Sequence, residues 1–188
     1  MEAEAFATLN GYAVADLVMH ASEQGAWFAE VALEQAAPRL TKGAAKLVVN
    51  GVTLACTVDD DGTHGQSKSC RVVAGAGGWG TLVPAHGYAN DAAVKARMVA
   101  EDAASLVGES IVTFEPAATT LATSSARTND PASVALEDAA GGALWWVDYD
   151  GKTHVAKDRP TAKAKPGSYE VLNFNPRTQV VELGVAGV

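Results

Sequence analysis

The 188-residue chain is acidic, with 14 Lys and Arg against 22 Asp and Glu for a formal charge of −8, and it is 48% hydrophobic but only 6% aromatic. A chain of that length buries a real core, as one domain or a barrel with a substantial appendage, with Ala and Val supplying much of the packing. The charge balance excludes a general nucleic-acid binder, which needs cationic side chains to neutralise phosphates, and it excludes electrostatic docking on an anionic membrane. No apolar run approaches the roughly 20 residues of a membrane helix. The start, "MEAEAFATLNG", has no basic region followed by an apolar one, so we expect cytoplasmic synthesis.

"YAVADLVMHA" fits a helix through Val14, Leu17, Val18 and Ala21 as well as a strand; we read a strand, joined to the next through "SEQG". In "GAWFAEVALE", Trp27, Ala29, Val31 and Leu33 share one face, the period of a half-buried strand. "KLVVNGVTLACTV" predicts a hairpin, because Asn50-Gly51 supplies the two positive-φ residues that a tight type I′ turn requires. A second hairpin is predicted through "DDDGTHG", with the loop centred near Thr63. That register sets Cys56 almost opposite Cys70, and we expect a pair of buried thiols there rather than a disulfide. These strands in meander order predict an antiparallel β-barrel or sandwich over residues 1–83.

An α/β portion follows over residues 84–158. Asn90 as cap and Gly108 as stop predict a helix over about 90–107, with Ala92, Ala96, Val99, Ala103 and Leu106 on its core face. "ESIVTFEP" predicts a short strand, and "AATTLATSSARTND", which has no period, an exposed loop. Pro131 at a first helical position, capped by Asp130, opens a short helix over about 131–140 that Gly141-Gly142 ends. "ALWWVDY" and "KTHVAK" flank Asp150-Gly151 as a hairpin over about 143–157. Residues 159–188 read as a connector and the start of a further β segment, where "SYEVLNF" and "TQVVELGV" can pair through "NPR". The fold class expected is therefore α+β and mainly β.

"CRVVAGAGGWGTLVP" places Gly75, Gly77 and Gly80 in the spacing G-x-G-x-x-G. A dinucleotide fingerprint needs the last glycine to open a helix and an acid to close a second parallel strand about 20 residues on. Here Thr81-Leu82-Val83-Pro84 follows, and Glu101 and Asp102 fall inside a predicted helix. We read Gly75, Gly77, Gly78 and Gly80 as turn formers that fold the backbone around Trp79, beside the other turn formers Asn50, Gly51, Asp150 and Gly151.

The remaining motifs carry little chemistry. Asp59, Asp60, Asp61 and His64 lack the ligand spacing of a calcium loop and read as a solvated hairpin tip. His20, His64, His86 and His154 show no zinc-binding spacing, and no serine sits in G-x-S-x-G. A carboxylate pair for cell-wall cleavage forms in space and stays open, although no acid is set in an apolar run that would raise its pKa. We therefore expect no catalytic residue, no metal and no cofactor. Trp145 and Trp146 point to opposite faces of a strand, one toward the core and the other toward a second element, a subunit or a sugar. Lys152, Lys157, Arg159, Lys163 and Lys165 form the one cationic cluster and read as a solvated connector or an acidic partner's contact.

The order of "LNGY", "GAWFAEVAL", "VVNGVTLACTVDDDG", "CRVVAGAGGWG", a capped helix and "VALEDAAGGALWWVDYDGKTHV" resembles the late-control hub family of tailed-phage baseplates, which recurs in contractile injection systems. The resemblance covers most of residues 8–158. It implies a structural virion protein assembled in the bacterial cytoplasm: a homo-oligomeric ring, trimer or hexamer, joining the tail tube to distal tail, spike or fibre proteins. It implies no catalytic residue, no specific nucleic-acid binding and no membrane, and it makes Trp27, Trp79, Trp145 and Trp146 packing or interface anchors. The chain departs from the family in being short, with only its last residues available to begin a second barrel. The alternatives are a virion-associated cell-wall hydrolase and a carbohydrate-binding module.

Overall fold

The computed structural model describes residues 6–34, 37–61, 68–160, 170–175 and 180–184. The first six strands are β1 (Ala7–Leu9), β2 (Tyr12–His20), β3 (Phe28–Leu33), β4 (Gly43–Val49), β5 (Val52–Asp61) and β6 (Lys68–Ala74). They close into an antiparallel barrel in the order β1-β2-β3-β6-β5-β4. The predicted barrel is present, but not as a simple meander: β3 pairs with β6, and β4 reaches back to β1. The strand missed by the sequence reading is β1. Asn10 and Gly11, at φ 51° and 84°, turn it into β2. The Asn10 side-chain oxygen also accepts the Lys46 N–H at 2.8 Å, while the Asn10 N–H donates to the Lys46 carbonyl at 2.9 Å. That short link closes the barrel.

At the predicted hairpin, Asn50 and Gly51 lie at φ 48° and 79°, the conformation a I′ turn demands. The next hairpin differs in register from the expectation. Asp61 faces Cys70 and Cys56 faces Ala74, with a bulge between Val58 and Asp60. The cysteines are therefore several residues apart along the ladder, and both are buried thiols outside any disulfide. The barrel interior is filled by Leu9, Val31, Leu47, Leu54, Val58 and Val72. Each such side chain contributes about 1.5–3 kcal/mol when fully buried.

The α/β portion contains β7 (His86–Ala89), α1 (Ala96–Leu106), β8 (Ile111–Phe114), β9 (Ser124–Arg127), α2 (Ala132–Ala140), β10 (Leu144–Val147) and β11 (Thr153–Ala156). β10 and β11 form the predicted hairpin, and β8 adds to β11 in parallel. The turn at Asp150-Gly151 is longer than a I′ turn, since only Gly151 takes positive φ, at 76°. The loop is locked by Asp148, whose N–H donates to the Lys152 carbonyl and whose carboxylate accepts the Lys152 N–H.

Three further expectations are corrected. Asn90 caps no helix: its side chain accepts the Ala92 N–H at 2.9 Å in a separate turn, and α1 begins at Ala96. Its buried face is Ala96, Val99, Ala100, Ala103 and Ala104, while Leu106 is exposed. Pro131 stands at the cap of α2 itself, with extended backbone and no side-chain cap from Asp130. The stretch read as an exposed loop contains β9, which pairs with β7. α2 also buries a run of alanines, so the two helices meet through small side chains. The last segments, β12 (Glu170–Asn175) and β13 (Val180–Gly184), pair antiparallel. The structure is thus mainly β: a closed six-strand barrel followed by a small α/β portion. No helix among the described residues is long and apolar enough to cross a membrane.

Candidate functional site

The glycine-rich exit from the barrel is the point where the two parts join. Gly75 and Gly77 take φ 64° and 74°, which L side chains rarely adopt. Gly78 serves a different purpose: a Cβ there would lie 2.2 Å from the Val107 carbonyl oxygen at the end of α1. Gly80 has ordinary φ and open space, so it is not a turn former by necessity.

Backbone amides turned inward by such a loop attract an anion. The anion here belongs to the protein. Glu109, 7% exposed, accepts the Gly78 N–H at 2.8 Å and is also hydrogen-bonded by the Ala76 and Gly77 amides. Burial raises its pKa above the ordinary carboxylate value, against the pull of those amides and of Lys152. Glu109, between Gly108 and Ser110, stands in no apolar run of the sequence, and its burial comes from tertiary packing. The loop that imitates a phosphate cradle in sequence is filled by a side chain 31 residues downstream.

All four tryptophans are buried around this joint. The Trp79 indole N–H donates to Thr153 Oγ1 at 3.0 Å, and its ring meets that of Trp145 at 5.5 Å. Trp145 in turn donates to Glu137 Oε1 at 3.0 Å. Trp146, on the opposite face of β10, is buried as well, stacking on His154 at 5.3 Å beneath the Arg159 guanidinium. Trp27 donates to the Asp148 carbonyl across the joint. These are internal anchors. Backbone contacts reinforce them: the Ala55 N–H donates to the Tyr149 carbonyl and the Gly25 N–H to the Trp145 carbonyl, both at 2.7 Å. Gly151 approaches Gly75 closely, its Cβ position being 3.1 Å from the Gly75 Cα.

Two polar clusters flank the joint. His154 joins Thr113 through Nδ1 at 3.1 Å and Asp148 through Nε2 at 2.8 Å, fixing the hairpin to β8. Arg127, 6% exposed, donates to the Pro84 carbonyl, the Tyr88 hydroxyl and the Asp102 carboxylate, clipping the β7–β9 ribbon to α1. The hydrogen bond from Tyr88, then Arg127, holds the Asp102 carboxyl below its usual range. Burial, with Asp102, pushes Tyr88 up to about 12. Sequence reasoning missed Arg127 because its neighbours are Ser, Ala and Thr with no period; a lone Arg in such a stretch was the only signal.

Of the cationic cluster, Arg159 donates to the Ser22 and Glu23 carbonyls, Lys152 to Ser110 at 3.3 Å, and the Lys157 N–H to Glu115. Lys163 and Lys165 lie outside the described residues, as does His64. Asp59 and Asp60 are exposed at the end of β5. A trough of about 740 Å³ crosses the outer faces of β4 and β5, walled by the loops at Glu109 and Gly151 and lined by Lys46 and Lys152.

No protein-family model matches the chain, and no curated protein matches it. Among solved structures it is similar to the crystal structure of the 43 kDa tail protein of prophage MuSo2 from Shewanella oneidensis, with a TM-score of 0.56 and 12% identity. The match covers 86% of this chain and 55% of that one, so the chain spans little more than half the length of this neighbour. At that identity the likeness is one of fold.

Proposed function

We propose that this chain is a structural subunit of a phage-type tail, a hub or adaptor that forms a homo-oligomeric ring between the tail tube and the spike or fibre proteins. The carrying observation is that 86% of the chain follows the fold of a prophage tail protein. The internal use of all four tryptophans supports the reading, because it leaves contacts to the barrel exterior. Phe6 and Val52 are exposed large hydrophobics beside the β4–β5 turn, and Tyr12 is another beside the β1–β2 turn at the other end of β1, apolar surface of the kind that assembly covers. On this reading the subunit is a virion component, assembled in the bacterial cytoplasm, without catalytic residue or cofactor.

Native mass measurement followed by negative-stain imaging tests it. The expected result is a closed ring of three or six copies; a chain that stays monomeric at tens of micromolar contradicts it. A peptidoglycan zymogram tests the absence of catalysis. Clearing that disappears in Glu109→Gln would overturn the structural reading in favour of a hydrolase.

A further inference from the structure

An asparagine or aspartate followed by glycine carries a latent reaction of its own backbone. The glycine nitrogen attacks the side-chain carbonyl carbon of the residue before it, because no Cβ crowds the approach. The attack needs those two atoms brought to about 3–3.5 Å, so a structure that ties either one elsewhere holds the reaction back. Four such steps occur in the sequence: Asn10-Gly11, Asn50-Gly51, Asp61-Gly62 and Asp150-Gly151. Gly62 lies outside the described residues.

The other three differ in what holds them. At Asp150-Gly151 the nitrogen is engaged: the Gly151 N–H donates to the Asp148 carbonyl at 3.1 Å, and Gly151 is packed against Gly75 and Ala55. At Asn10-Gly11 the side chain is engaged. Asn10 Oδ1 accepts the Lys46 N–H at 2.8 Å while the Asn10 N–H donates to the Lys46 carbonyl, and this pair of bonds fixes the group that would have to rotate. At Asn50-Gly51 neither atom is engaged. The Asn50 backbone N–H donates to the Phe6 carbonyl at 3.1 Å, but the Asn50 side chain and the Gly51 N–H have no hydrogen-bond partner among the described residues. Both residues are exposed, and a Cβ built on Gly51 meets nothing within 4 Å.

We propose that Asn50 is a site of spontaneous covalent modification, converted through a cyclic imide to aspartate and isoaspartate, while Asn10, in the same kind of turn, is kept intact by Lys46. In the first step the Gly51 nitrogen gives its proton to hydroxide and bonds to Asn50 Cγ. The Cγ–Nδ2 bond breaks, and the side-chain nitrogen leaves as ammonia with a proton taken from water, which restores the hydroxide. In the second step water adds to either ring carbonyl. Opening at Cγ returns the original backbone with a side-chain carboxylate; opening at the backbone carbonyl carbon routes the chain through Cγ and lengthens it by a methylene. Either product adds a negative charge beside the exposed Phe6 and Val52. The isoaspartate also lengthens the tight turn that sets Val49 opposite Val52.

The test incubates the full chain at pH 8, folded and in guanidinium chloride, and follows both asparagines by peptide mapping and mass spectrometry. In the folded chain Asn50 is expected to convert at least about fivefold faster than Asn10, the factor that one net hydrogen bond contributes, and in denaturant the two rates come together. Asn50→Gly keeps the turn, because Gly-Gly also satisfies type I′, and on ion exchange it is expected to lose the acidic species that the wild type accumulates. Circular dichroism checks that the variant is folded. Equal rates at Asn10 and Asn50 in the folded chain overturn the proposal, as does an Asn50 that stays intact while the denatured chain converts. The same acidic species building up as fast in Asn50→Gly overturns it too.

Discussion

The barrel and the joint behind it are specified in different ways. Barrel strands are separated by turns whose chemistry is local: Asn10-Gly11 and Asn50-Gly51 each place two adjacent residues at positive φ, and alternation assigns the faces between. The joint is built from residues far apart in sequence that meet only after folding. Glu109 reaches the glycine loop, Trp79 reaches Thr153, and Trp27 reaches Asp148. Damage to a turn should therefore be modest, while damage at the joint should be severe, because a packed backbone contact there has no room to relax.

The largest expected effect separates two glycines of one motif. Gly78→Ala forces a Cβ against the Val107 carbonyl and is expected to lose about 3 kcal/mol or more, or to prevent folding, whereas Gly80→Ala stays within about 0.5 kcal/mol in urea titrations. Equal effects would mean that the close approach does not set the joint. Next in size is Arg127→Met. It leaves the Tyr88 hydroxyl and the Pro84 carbonyl without their donor, for about 2–3 kcal/mol, the smaller end of a broken buried pair because Asp102 is 42% exposed.

The next effect is the pH dependence that Glu109 confers. Its folded-state pKa is raised, so its contribution is fully present below the unfolded carboxylate value and is lost as pH rises through the folded one. Wild type should therefore fall relative to Glu109→Gln between acid and neutral pH, measured as the gap between urea midpoints. A gap that changes in the opposite direction would mean that the amides, not burial, dominate. The smallest effect concerns the thiols. Burial pushes Cys56 up to about 11, and neither cysteine is in a disulfide, so reductant should leave the unfolding midpoint unchanged. Two thiols should react with Ellman's reagent at pH 8 only after denaturation.

What could be read in the sequence follows the same division. The alternation of Trp27 to Leu33, the Asn50-Gly51 turn and the Trp145-Trp146 hairpin were legible because pattern and turn chemistry lie within a few residues. The register of Cys56 was not, because a bulge beyond Val58 shifts the ladder and leaves no trace in composition. Asn90 has the chemistry of a cap and uses it in a turn that ends before α1. The glycine spacing could be rejected as a nucleotide site from its context, but its real occupant could not be named. Nothing local marks Glu109 as buried; it follows Gly108 in an ordinary helix exit, and only the tertiary fold brings it to the loop.

The decisive measurement is a carbon-13 titration of the Glu109 side-chain carboxyl in the folded chain. If the glycine loop closes on this carboxylate in a buried joint, its midpoint lies above the ordinary glutamate value and does not move when phosphate or a dinucleotide is added. A midpoint at the ordinary value, or one displaced by phosphate, would show a loop open to solvent and ligands, and the joint would not be the fixed element that holds barrel and α/β portion together.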